Sequence, residues 1–156
     1  MNKSAKSSSR RRRTNKKTAK KVNKNHKAHI NDKAHIVLVF LEFLNMIKLY
    51  HWKTRSYSQH KATDELYSRL NENIDKFVEV LLGKDQTRIE HMEKRMDLVN
   101  TDNMSDIKSR IFEYRNFLQD FNIHFDAKRD SDLLSIRDDI LADVNQFLYL
   151  LSFNKI

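Results

Sequence analysis

Residues 60–83 read HKATDELYSRLNENIDKFVEVLLG, and the two faces of this stretch decide the fold. Leu66, Leu70, Ile74, Phe77 and Leu81 recur every three or four positions, the stripe of a helix packed against neighbours. Gly83 stands just past the stripe, where a left-handed C′ glycine closes many helices. The other face is polar. His60 and Asp64 are four apart, Asp75 lies eleven further on and Glu79 four beyond that. At about 100° per residue these four fall within an arc of about 100°, centred roughly 130° from the leucine face. They occupy a flank of the helix and do not point into its own core.

Working outward, the same periodicity appears on both sides. Ile36, Phe40, Phe43, Ile47 and Tyr50 mark a first helix running from an N-cap at Asn31 or Asp32 to about Ser56. His51 stays on its apolar seam, one turn past Ile47. Ser56-Tyr57-Ser58-Gln59 breaks it from the second helix, which covers about 60–82. A third helix spans about 105–124, through Ile107, Ile111, Tyr114, Leu118 and Phe121, with Ser105 as its cap. A fourth spans about 131–152, through Leu134, Ile140, Leu141, Val144, Leu148 and Leu151. The polar stretch 84–104 carries Ile89, Met92, Met96 and Val99, enough for a short helix of its own. Four long helices with one long middle crossover is ferritin-like connectivity. Composition agrees, because the chain has no proline and only Gly83 as glycine, too few turn residues for hairpins.

The 156 residues suffice for one domain with a real core. The net charge of +9 is unevenly placed. Lys3, Lys6, Arg10, Arg11, Arg12, Arg13, Lys16, Lys17, Lys20, Lys21, Lys24 and Lys27 precede the first carboxylate, Asp32, so the rest of the chain is slightly acidic. After Met1, Val22 is the only large apolar residue among the first 28. Such a segment cannot offset the ~1–2 kcal/mol per residue that ordering costs, so residues 1–30 are expected to be a disordered basic arm before a bundle over 31–156. A mobile polycation binds nucleic acid by neutralising phosphates, and without an aromatic it lacks the means to read bases. An import signal on Arg10–Arg13 or a solubility tail are the other uses of such a segment.

Cysteine is absent, which excludes disulfides and thiolate metal sites. No uninterrupted apolar run reaches the ~18 residues of a membrane span, and no secretory signal opens the chain. An intracellular protein of the cytoplasm or nucleoid, without a membrane partner, is expected.

Carboxylate oxygen and imidazole nitrogen suit ferrous iron, and the polar flank supplies both. Any one of these residues alone is more simply read as a solvated or boundary residue. Together they carry a resemblance. Tyr50-His51-Trp52, then His60-Lys61-Ala62-Thr63-Asp64-Glu65-Leu66-Tyr67, then Asp75 and Glu79, resemble the Dps mini-ferritins, the DNA-protecting ferritin relatives of starved cells. Asp132-Leu133-Leu134 through Phe147-Leu148-Tyr149-Leu150-Leu151 resembles that family's closing helix. The similarity covers about residues 34–152, and within the family the chain looks most like versions found in large DNA viruses, which would place it in a virion or viral factory.

The resemblance implies a twofold dimer within a twelve-subunit shell. His51, His60 and Asp64 would come from one subunit, Asp75 and Glu79 from the other. Ferrous iron held there would be oxidised by peroxide or oxygen and stored as ferric mineral, a protection against oxidative stress. Trp52 would lie beside the metals and take up oxidising equivalents, or pack as an ordinary aromatic. His51 and His60 are only nine apart, where the family has a longer link usually containing Gly-Pro. That departure puts at issue whether the two imidazoles face one metal.

A site inside each bundle would need Glu-x-x-His, which is absent from the sequence. Asp120 with His124 is the nearest substitute and reads as surface or boundary packing. Asp126, Asp130 and Asp132 read as a solvated loop with a helix cap, against a pore that admits iron. The alternative to a ferroxidase is a structural DNA-packaging or virion protein with this fold and little oxidase activity; a weaker reading is an RNA-binding or assembly bundle.

Overall fold

The computed structural model describes residues 33–89, 96, 98–101 and 103–153. The basic arm and the cap expected at Asn31 or Asp32 lie outside the described residues. Among those described, every regular element is helical: α1 (Lys33–Lys53), α2 (Tyr57–Gly83), α3 (Met104–Gln119), α4 (Phe121–His124) and α5 (Ser131–Leu151).

Side-chain contacts fix the direction of each helix. Lys33 at the start of α1 donates to the Leu81 carbonyl at 3.2 Å, and Tyr50 near its end donates to Gln59 Oε1 at 2.7 Å, so α1 and α2 are antiparallel. Arg69 reaches Gln146 at 2.7 Å and Lys84 reaches Asp132 at 3.0 Å, so α2 and α5 are antiparallel too. His35 meets Phe117 and Phe43 stacks on Tyr114 at 4.3 Å, which sets α3 against α1. The order is therefore up, down, down, up. The connection after α2 must climb the whole bundle, and it does so alongside α1: Thr87 accepts from Lys33, Met96 from Asn45 and Asn100 from Lys53.

Most of the apolar seam read from the sequence is core, but on α5 the core also takes in Leu133, Ile136 and Phe147, while Leu134 and Leu141 are only partly buried. Phe40, Phe77 and Phe121 are fully buried, with Phe40 and Phe77 edge to face at 5.3 Å, an arrangement that adds to the ~2–3 kcal/mol each side chain gains by leaving water. α1 is long and apolar enough to cross a membrane by length and composition. Its buried face, from Ile36 to Tyr50, accounts for that composition within the bundle.

Several local expectations are corrected. Gly83 is the last residue of α2 and its φ is not positive; the chain instead turns left-handed at Gln86, φ 55°. The cap of α3 is Asn103, whose side chain accepts from the Asp106 amide at 3.0 Å, two residues before Ser105. The third helix breaks at Asp120 into α3 and α4. There the buried Arg137 donates to the Leu118 carbonyl and to Asn122 Oδ1, both at 2.7 Å, satisfying the end of α3. The short helix that Ile89, Met92, Met96 and Val99 could support falls mostly on residues 90–95 and 97, which lie outside the described residues.

Candidate metal centre

α1 ends and α2 begins at one end of the bundle, and only Thr54, Arg55 and Ser56 separate them. Gln59 holds this link closed. Its buried Oε1 accepts from Tyr50 and from Thr54, each at 2.7 Å, while Ser56 caps α2 by accepting from the Gln59 amide.

That short link brings the two histidines face to face. The His51 and His60 rings stack with centroids 3.9 Å apart and planes 24° from parallel. Each Nδ1 lies 3.1 Å from the other residue's backbone carbonyl. A carbonyl only accepts, so each Nδ1 is the donor, and in a neutral ring the lone pair then falls on Nε2. The His51 Nδ1 also sits 3.2 Å from the Thr63 hydroxyl, which itself donates to the Gln59 carbonyl at 2.8 Å. Imidazole held through one nitrogen by a backbone carbonyl, with the other left free, is the arrangement metal-binding histidines use.

Asp64 completes what one chain assembles. Its Oδ1 lies 4.0 Å from His51 Nε2, too far for a hydrogen bond but within the span of two ligands at roughly 2.1 Å from one cation. Asp75 and Glu79 are exposed and lie further along α2. Eleven residues of helix place Asp75 about 16 Å beyond Asp64. Among the described residues no three His, Asp or Glu side chains come close enough to hold one metal ion.

Trp52 is 67% exposed, so it is not a core residue. Lys48 Nζ sits 4.6 Å from the Tyr67 ring centroid and 5.7 Å from that of Trp52, linking the two aromatics beside the histidine pair. The sequence reading gave Thr63, Gln59, Lys48 and Tyr67 no part in the site, although Thr63 and Tyr67 stand within the run that carries the resemblance and Gln59 within the break before it.

The remaining acidic candidates are occupied locally. Asp126 accepts from the Lys128 and Arg129 amides, which lower its carboxyl. Lys84 pairs with Asp130 and Asp132 at 3.1 and 3.0 Å and is the main cause that lowers the Asp132 carboxyl. Asp120 is exposed at the α3–α4 break. The twelve basic residues of the arm lie outside the described residues.

Fold and site together define an all-helical bundle with a histidine–carboxylate stripe on one flank. A family model described as a family of unknown function (DUF5856) matches residues 51–151, and the chain belongs to that family. The match opens on His51, closes with α5 and takes in all five candidate ligands. No curated protein and no solved structure matches the chain.

Proposed function

We propose that this protein is a Dps-like mini-ferritin: it oxidises ferrous iron at a site shared by two copies, stores the ferric product in a shell, and holds DNA nonspecifically through its basic arm. The observation that carries this reading is the His51–His60 pair, in which each ring is oriented by the other residue's carbonyl and both Nε2 atoms stay available. The up, down, down, up helix order with its long connection supports a ferritin-like bundle.

The flank of α2 also supports the twofold. In an antiparallel pairing of two α2 helices, His60 faces Glu79, Asp64 faces Asp75, Ser68 faces Asn71 and Tyr57 faces Leu82 in a single register. All eight positions fall within one arc of about 100°. The small polar pair at the crossing allows close approach, and Tyr57, 79% exposed in the single chain, gains an apolar neighbour. The pairing brings Asp75 and Glu79 of one copy to the histidines of the other, supplying oxygen ligands that suit ferrous iron. Two ferrous ions give one electron each to peroxide, which takes two protons and leaves as water.

The test is complementation. Asp64→Asn and Asp75→Asn should each lower peroxide-driven ferrous oxidation to near the buffer rate. Assembled together in equal amounts they should recover about a quarter of the wild-type rate, because half the dimers are mixed and each has one intact site. No recovery would place the two carboxylates in different sites. A wild type no faster than buffer would remove the oxidase and leave a DNA-packaging shell.

A further inference from the structure

Lys48 stands on α1 one turn before Trp52 and reaches across to α2. Its Nζ lies 4.6 Å from the centroid of the Tyr67 ring and 5.7 Å from that of Trp52, within the range at which an ammonium is drawn to an aromatic face. The residue is half-buried, and among the described residues no carboxylate pairs with it. Its charge is therefore neither neutralised nor fully surrounded by water, and both rings feel it. Tyr67 is packed against the core and stands three residues past Asp64, so it fixes where the ammonium sits. Trp52 follows His51, is 67% exposed and is the only tryptophan of the chain.

This arrangement bears on where an oxidant draws its electrons. Reduction of peroxide to water takes two electrons and two protons. Where two ferrous ions are present, each gives one electron. Where a single ferrous ion meets peroxide, the iron gives one, and the indole that follows His51 in the chain is a ready source of the second. An indole that gives up an electron is left as a radical cation until its N–H proton departs. A positive charge held beside the ring opposes that state twice. It repels the new charge, and the attraction between the ammonium and the intact ring is lost.

We propose that Lys48 shields Trp52 from oxidation, so that the electrons taken by peroxide come from ferrous iron and not from the protein. Tyr67 is the anchor that holds the ammonium in place. Lys48 is then a specificity-determining residue, and Trp52 is no sink for oxidising equivalents. The source of the oxidant rests on the iron reading above. The shield itself does not, because the charge lies beside the ring in the chain without metal.

The test uses the full chain as wild type, Lys48→Met and Lys48→Arg. Methionine keeps an unbranched apolar stem against the rings and removes the charge, whereas arginine retains it. Each protein is given one ferrous ion per chain with excess peroxide. Separately, without iron, each is given a neutral one-electron oxidant, the trichloromethylperoxyl radical. Loss of Trp52 emission and the mass gained by its peptide are followed. At low salt Lys48→Met should lose Trp52 at least about threefold faster than the wild type in both arms, the factor that a unit charge at this distance exerts even through water. Lys48→Arg should match the wild type, and added salt should close the gap. A difference with the radical alone, with ferrous iron oxidised no faster than in buffer, keeps the shield and removes the oxidase reading. A difference with iron alone places Lys48 at the metals and overturns the shield. Equal loss of Trp52 from Lys48→Met and the wild type in both arms overturns it as well, whatever the rate of iron oxidation.

Discussion

Thr63 shows how much of the candidate centre rests on residues that are not ligands. Its hydroxyl is wholly buried and joins the Gln59 carbonyl to His51 Nδ1. Thr63→Val keeps the shape and removes those bonds. It should cost about 1 kcal/mol in urea unfolding and, by freeing the His51 ring, slow iron oxidation by about tenfold. Thr63→Ser, which retains the hydroxyl, should restore most of the rate; equal loss in both variants would mean that the methyl group matters and the bond does not. A second residue-scale effect concerns acid. Lys33, at 2.6 Å, and then the Thr87 hydroxyl hold the Asp85 carboxyl well below its ordinary value of 3.8, at about 2. A carboxyl lowered on folding stabilises the fold above its unfolded value and loses that contribution as pH falls through the folded one. The clamp between α1 and the crossover should therefore weaken between about pH 4 and pH 2, and in Asp85→Asn the acid-melting curve should be flatter there. Because the pair is exposed, added salt should shrink the difference.

At the scale of the element, Gly83 separates two descriptions of how α2 ends. A left-handed C′ glycine would resist any side chain. The observed residue is helical, its φ is not positive, and a Cβ placed on it meets nothing within 4 Å. Gly83→Ala should therefore raise stability by about 0.5–1 kcal/mol, the helix-propensity and chain-entropy gain; a fall in the thermal midpoint would return the C′ role to it. The helices themselves were legible because burial repeats every three to four residues, so Leu66 through Leu81 and Ile36 through Tyr50 mark their buried faces directly. Helix ends were less legible. Asn103 and Ser105 are both good caps, and only the hydrogen bond to Asp106 decides between them. For the same reason the sequence showed His51 and His60 as candidates but hid their stacking. That depends on Gln59 drawing Tyr50 and Thr54 together across the link, a contact with no periodicity to betray it.

For the whole molecule, the division of charge is the dominant fact. Twelve of the 30 basic residues lie in the first 28 positions, and the remaining 18 face all 21 acidic ones. A bundle that is slightly acidic repels a phosphate backbone at long range, so on the proposed reading the arm supplies the affinity for DNA, with each neutralised phosphate releasing condensed counterions. Deleting residues 1–28 should abolish gel retardation of duplex DNA at moderate salt while leaving ferrous oxidation unchanged, because the histidine pair and the flank of α2 lie beyond the deletion. In the full chain the logarithm of affinity should fall steeply with the logarithm of salt, by roughly 0.9 for each phosphate contacted. Replacing Arg10–Arg13 with glutamine should reduce that slope by about four where all four side chains touch phosphate. Sequence should matter little throughout, since the arm carries no aromatic side chain to stack on a base. Retardation that persists in the truncated protein with an undiminished salt slope would move the DNA surface onto the bundle itself.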